Sequence, residues 1–253
     1  MQWSNKLKVF EIDSNIVEWD MHSANLSICK EYGLLTPRQI DKISKLPKLD
    51  RNIAIGKIGQ KSKEFAKSLE EHFDIVVNEF IEQNNLNRDD DILDIRKDAV
   101  FTINKKITHS KIGNNIEFIP KHQYHSFIRL DRFDFLMNDT EMSVKGFQEY
   151  QELHQDGMLD LIRDALEMCS EYHMDSACVN EYLSDMVNLY KNYELDIEYY
   201  REFNNGSSFT VIDDGNVYSL KTVSMDYIKE NNLTLDISYN YLNLILPLIR
   251  ILR

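Results

Sequence analysis

Glu18-Trp19-Asp20-Met21-His22-Ser23-Ala24-Asn25 and Asp94-Ile95-Arg96-Lys97-Asp98-Ala99-Val100-Phe101 are the two stretches on which the reading of this chain turns. Each carries an aspartate within or at the end of an apolar run with the composition of a β-strand. Aspartates on adjacent strands are held with little loss of side-chain entropy, and two that face one another can bridge a pair of Mg2+ ions about 4 Å apart. Asp20 and Asp98 are therefore the candidate catalytic and metal-binding residues. Each also has a purely structural alternative. Asp20 precedes a helical pattern and could cap it. Strand alternation puts Asp98 with Arg96, Val100 and Thr102 on one face, opposite Ile95, Lys97, Ala99, Phe101 and Ile103, where an outward Lys97-Asp98 pair would be an ordinary edge.

Working outward, Leu7 to Ile12 and Ile16 to Trp19 have strand character and are separated by Asp13-Ser14-Asn15, the composition of a hairpin turn. Ser23-Ala24-Asn25 opens a helix that Gly33 stops. Thr36 followed by Pro37 is a capped start for a helix over Arg38 to Leu46. Another helix is expected from Leu49 to about Ile58. Lys63 to Asn84 places Phe65, Leu69, Phe73, Val76, Val77, Phe80 and Ile81 at a helical period. Strands follow at Ile92 to Asp98, Ala99 to Ile103, Ile116 to Ile119, Ser126 to Leu130 and Phe133 to Met137. Phe147 to Cys169 and Ala177 to Tyr193 are amphipathic helical stretches, Asn204 to Ser208 is a linker-like loop, and Asp213-Asp214-Gly215-Asn216 marks a hairpin. The order predicts an α+β fold: a mostly antiparallel sheet with helices on one face over residues 1–138, then an acidic, mainly helical region with a β-hairpin over 139–253.

The 253 residues, 43% apolar and 11% aromatic, suffice for a sizeable core. Cys29, Cys169 and Cys178 lack the spacing of a disulfide framework or a zinc site, which fits a reducing compartment. No signal-peptide pattern opens the chain, and the apolar run from Tyr239 to Leu252 falls short of the ~20 residues a bilayer requires. A cytoplasmic protein without a membrane partner is expected. The net charge of −13 is unevenly spread: residues 1–135 balance 21 basic against 21 acidic side chains, whereas 136–253 hold 8 against 21. Between the two aspartate stretches, Arg38 to Lys67 carries nine basic residues against three acidic ones. Positive charge beside a carboxylate pair suits a triphosphate or a nucleic acid, while the acidic half better suits a protein partner. His109, His122 and His125 lack metal-site spacing, and the Tyr193, Tyr199, Tyr200 and Phe203 group reads as core. No Gly-rich phosphate loop, Gly-x-Ser-x-Gly elbow or His-Glu-x-x-His motif occurs.

The segment from Asp20 to Ile28, with a strand-borne Asp followed by a tight turn and a helix, resembles the first catalytic motif of palm-type DNA polymerases. Asp94 to Phe101 resembles their later motif, in which a hairpin presents the second metal-binding Asp. The chain is similar in this respect to phage-encoded proteins that share such a core, over roughly residues 7 to 135. The resemblance implies a nucleotidyltransferase in which Asp20 and Asp98 hold Mg2+, and the backbone from Met21 to Ser23 lies near an incoming triphosphate. It also implies a basic helix between the motifs, with Arg51 and Lys57 as its candidates. Those two are six residues apart and do not share a helix face, whereas Lys48 with Arg51, or Lys57 with Lys61, would. Ala99 stands where the family pattern has a second acidic residue. Three activities follow as expectations: a Mg2+-dependent nucleotidyltransferase, a catalytically inactive binding or assembly subunit of a phage complex, and a metal-dependent nuclease using Asp20, Asp94 and Lys97.

Overall fold

The computed structural model describes residues 2–130, 133–145, 156–170, 175–200, 208–236 and 242–252. In chain order the first elements are β1 (Gln2–Ser4), β2 (Phe10–Glu11), β3 (Ile16–Met21), α1 (Ala24–Glu31), α2 (Pro37–Ser44), α3 (Lys48–Lys61) and α4 (Lys63–Gln83). Next come α5 (Arg88–Asp91), β4 (Ile92–Arg96), β5 (Ala99–Ile103), β6 (Lys111–Ile112) and β7 (Ile116–Tyr124). The chain folds as two compact units, one of Met1–Lys8 with Ser14–Tyr124 and the other of Val9–Asp13 with His125–Arg253. The fold is α+β, with antiparallel sheets.

In the first unit a six-stranded sheet runs in the order β1-β4-β5-β3-β7-β6. Its local signals are those of the sequence. Thr36 forms a capping box with Gln39, and Pro37 occupies the first turn of α2. The Ser62 hydroxyl accepts the Phe65 N–H at 3.2 Å to start α4. One face of the sheet presents Trp19, Met21, Ile95, Val100 and Phe118, which pack against Ala24 and Ile28 of α1 and against Phe73, Val76, Val77 and Phe80 of α4. Phe80 is fully buried and stacks on Phe118 with ring centroids 4.1 Å apart, Trp19 lying 6.3 Å away on another side.

The expected hairpin across Asp13-Ser14-Asn15 does not form. β3 is flanked on both edges by β5 and β7, so no edge remains for the segment before it. That segment shortens to β2, which pairs with Phe127 and Ile128 in the second unit, while the additional strand β1 pairs with β4. Asn15 instead exchanges hydrogen bonds with Asn104: its N–H donates to the Asn104 side-chain oxygen, and its carbonyl accepts the Asn104 N–H, both at 2.8 Å. The helix expected to end near Ile58 continues through Gly56 and Gly59 to Lys61.

The second unit continues with β8 (Ser126–Leu130), β9 (Phe133–Met137), β10 (Met142–Lys145), α6 (Asp156–Ser170), α7 (Ser176–Lys191) and a 3-10 turn at Ile197–Tyr200. It ends with β11 (Phe209–Asp213), β12 (Asn216–Leu220), α8 (Met225–Glu230), β13 (Thr234–Leu235) and α9 (Leu242–Ile251). β10, β9, β8 and β2 form one sheet, and β12, β11 and β13 another. The division expected at residue 138 thus falls between β9 and β10, which pair with each other, and the compact units part at Tyr124 and His125. The β11–β12 turn has Asp214 and Gly215 both at positive φ, as a two-residue hairpin requires. Tyr190 and Tyr200 are buried and stacked at 4.6 Å, and the Tyr200 hydroxyl donates to the Tyr190 carbonyl at 2.9 Å. Burial pushes the Tyr200 phenol up to about 12. Phe203, residues 147–155 and most of the loop at 204–208 lie outside the described residues. Among the described residues no helix is long and apolar enough to cross a membrane.

Because Phe80 is the side chain on which sheet and helix layer meet, Phe80→Ala is expected to destabilise the protein by about 3–5 kcal/mol. Urea denaturation of the two proteins measures the difference.

Candidate functional site

Asp20 is the penultimate residue of β3, where its register partners are Ala99 on β5 and Ile119 on β7. Beyond it the chain turns sharply into α1 through Ser23, whose φ is +50°. Ser23 is the N-cap residue, and its side chain makes no capping bond; its carbonyl accepts the Leu26 and Ser27 N–H groups. The His22 N–H donates to Glu117 at 2.8 Å, and the Ser27 hydroxyl donates back to the His22 carbonyl at 2.9 Å. The helix start is therefore served by the residues after Asp20, which leaves the Asp20 carboxylate outside the cap.

Asp98 is not a strand residue. Arg96 and Ala99 are paired across the β4–β5 hairpin, so Lys97 and Asp98 form a two-residue turn, with Lys97 at φ +52°. Reversing the chain there changes the faces expected from simple alternation. Arg96 shares a face with Ala99, Phe101 and Asp94, while Val100 lies on the helix-packed side. Across β3 the register adds Glu18 and Asp20 to the face of Ala99 and Phe101. The face of the sheet away from α1 and α4 thus carries Glu18, Asp20 and Asp94, with Asp98 at its corner.

The Met21 N–H donates to the Asp98 carbonyl at 2.9 Å, tying the end of β3 to the turn. Asp98 titrates above the ordinary aspartate range. Burial is the largest cause, and repulsion from the neighbouring Asp20 carboxylate adds to it; Lys97 and Lys121 pull in the opposite direction. The two aspartates quoted from sequence are therefore electrostatic neighbours. Among the described residues no set of three or more His, Cys, Asp or Glu side chains is gathered as a metal-holding group, so Asp20 and Asp98 stand as a pair.

Two residues without an assigned role in the sequence reading belong to these surroundings. Glu18, 5% exposed, has one carboxylate oxygen 3.4 Å from the Lys121 ammonium, and its other oxygen is buried without a hydrogen-bond partner among the described residues. Lys121 sits where the β3–β7 register shifts, between Pro120 opposite Trp19 and His122 opposite Glu18. The signal was present in the first quoted stretch, since Glu18 and Asp20 are two residues apart and must share a strand face. Asp94, by contrast, is occupied: Ser4 donates to it at 2.8 Å, the Ile95 N–H at 3.1 Å, and the Arg96 guanidinium pairs with it.

A cleft of about 870 Å³ opens between α3 and α4 beside the turn, and Lys97 lines it. From α3 its wall takes Asn52, Ile55, Gly56, Gly59 and Gln60. Lys57 and Lys61 lie on the opposite side of α3 from this set, Lys48 is one turn before it, and Arg51 is at its edge. Lys48, Lys57 and Lys61 are exposed, Arg51 and Ser23 are half-buried, and none of the five is among the lining residues.

Residues 1–253 match the family described as Bacteriophage PBS1 gene 130 protein. The chain belongs to that family of phage proteins. No curated protein matches it. The match spans both compact units.

The raised Asp98 makes the folded state prefer the protonated carboxyl. Its contribution to stability is complete below the unfolded aspartate value of about 3.9 and is lost as pH rises through the higher folded value. Asp98→Asn removes this penalty. Its unfolding free energy is expected to exceed the parent's at pH 7, by an amount that solvent screening of a partly buried group keeps small, and the difference should vanish near pH 3. Denaturation at the two pH values checks the sign.

Proposed function

We propose that this phage protein is a Mg2+-dependent nucleotidyltransferase whose metal is held by Asp20 and Asp98. The observation that carries the reading is the convergence of the two carboxylates, one at a strand end and one in the adjoining hairpin turn, close enough that Asp20 raises Asp98. Two like charges held together in a partly buried place are relieved by a divalent cation, and carboxylates are the ligands Mg2+ prefers. Mg2+ bound there would neutralise a triphosphate and lower the pKa of an attacking 3′-hydroxyl. In the reaction the hydroxyl oxygen bonds to the α-phosphorus while the bond to pyrophosphate breaks.

The chain's own residues set the rest. The Met21–Asp98 hydrogen bond holds the two carboxyl-bearing segments at fixed separation, and Lys121, acting on Glu18 and Asp98 alike, offsets the negative charge of this face. Lys57 and Lys61 of α3 face away from the cleft, so their use with a triphosphate or a nucleic acid is on the outer surface of that helix. A nuclease built on Asp94 and Lys97 is less well supported, because Asp94 is engaged by Ser4, Ile95 and Arg96 and the Lys97 ammonium lies 4.8 Å from the Phe73 ring centroid. A second reading, a non-catalytic binding or assembly subunit with a protein partner, draws on Ala99 in place of a second acid and on the 21 acidic residues of 136–253.

Asp20→Asn and Asp98→Asn are each expected to abolish Mg2+ binding, read by calorimetry, and to lower Mg2+-dependent nucleotide incorporation by about 10²-fold or more. Mg2+ binding that survives both substitutions would overturn the metal site. Mg2+ binding without any nucleotide turnover would favour the non-catalytic subunit.

A further inference from the structure

The cleft between α3 and α4 has three features that no packing requirement accounts for. First, Gly56 sits inside a 14-residue helix, where glycine is about 1 kcal/mol worse than alanine. A Cβ built on it meets nothing within 4 Å, so no neighbouring backbone or side chain demands the glycine. What its missing side chain preserves is the volume of the cleft.

Second, two amide side chains meet at the cleft wall. The Asn25 amide nitrogen donates to the Asn52 side-chain oxygen at 3.3 Å. With the amides so oriented, the Asn25 side-chain oxygen remains as an acceptor and the Asn52 amide nitrogen as a donor on the cleft wall, and Gln60 adds a further amide. Carboxamide acceptors and donors are the groups by which asparagine and glutamine read nucleobase edges. Third, α4 contributes apolar lining at Phe65, Ala66, Leu69 and Phe73, the Phe65 ring being half-buried, and about 870 Å³ is ample for a nucleoside-sized ligand. The charged residues that line it, Glu70 and Asp74 against Lys97, leave it without the positive balance a phosphate would want.

We infer that this cleft is a nucleobase pocket: a planar, uncharged, hydrogen-bonding ring lies against the apolar wall and is read by the Asn25–Asn52 amide pair. The inference deepens the nucleotidyl-transfer reading and rests on it for the class of ring. Lys97 lines the cleft and is followed directly by Asp98, so one end of the cleft lies at the Lys97-Asp98 turn. The ring is bound by amides and apolar surface in the cleft, and the charged part of the ligand lies outside it.

The test titrates the full chain, without metal, with adenosine and uridine by ligand-detected NMR. Saturable binding is expected. Gly56→Leu, which fills open cleft volume while improving helix propensity, should weaken it at least about tenfold. Asn52→Ala, on the surface of α3 and harmless to the core, should weaken it about fivefold. Absence of nucleoside binding, equal binding by all three proteins, or binding only of an aromatic hydrocarbon without hydrogen-bonding groups would each overturn the pocket. Because no metal is present, these outcomes do not depend on Asp20 or Asp98. Nucleoside binding with failed Mg2+ binding would retain the pocket and remove the metal site.

Discussion

The hydrogen bond from the Met21 N–H to the Asp98 carbonyl, 2.9 Å long, joins the last residue of β3 to the turn between β4 and β5. It extends the β3–β5 ladder by one step beyond the Asp20–Ala99 pair and so fixes where the hairpin turn lies against the strand end. The ladder could not slip by one residue without moving Trp19 and Met21 out of the helix-packed core and Glu18 and Asp20 into it. The apolar side of the sheet therefore sets the register, and the register brings the two aspartates together. The same constraint requires Lys97 at positive φ, a conformation that a non-glycine residue adopts at a cost of roughly 1 kcal/mol. The Lys97 side chain is placed by that conformation over the Phe73 ring of α4.

Charge on the carboxylate-bearing face is arranged in two different ways. Asp94 is satisfied by Ser4, Ile95 and Arg96, so it is a structural anion that holds β1 and β4 in place. Asp98 is left raised by burial and by Asp20, and Glu18 keeps a buried oxygen without a hydrogen-bond partner among the described residues, beside Lys121. Groups held in a less favourable state than water would offer are retained at sites where something else completes them. The contrast between a fully paired Asp94 and a strained Asp20–Asp98 pair, four residues apart along one hairpin, is stronger support for a site than the number of acidic residues.

What could be read from the sequence was whatever depends on neighbouring residues. The Thr36-Pro37 start of α2, the apolar period of α4, the Gly33 stop and the Asp214-Gly215 hairpin all follow from contacts within a few residues of each other. What could not be read depended on distant partners. Leu7 to Ile12 has the alternation of a strand, but its partner lies more than 100 residues away on β8, and β3 had no free edge to offer. Periodicity alone places Asp98 in a strand, because Lys97-Asp98 lacks the glycine of the common two-residue hairpin turns; the pairing of Arg96 with Ala99 makes it a turn. The convergence of Asp20 and Asp98 was legible, their exact setting was not.

The two faces of α3 differ in chemistry. Lys57 and Lys61 drew attention because positive charge suits phosphate, yet they project away from the cleft. Asn52, Ile55, Gly56, Gly59 and Gln60 recur at the spacing of one helical face and line it instead. The outer face of α3 can meet a polyanion in solvent, where long flexible side chains retain their hydration. The inner face offers volume, apolar surface and amides, which suit an uncharged ring. Lys97 belongs to the lining of the cleft, whereas Glu18, Asp20 and Asp94 lie on the sheet face away from α4, so the Lys97-Asp98 turn is where the two sides of the sheet meet. That turn cannot move without breaking the β3–β5 register that also sets the core.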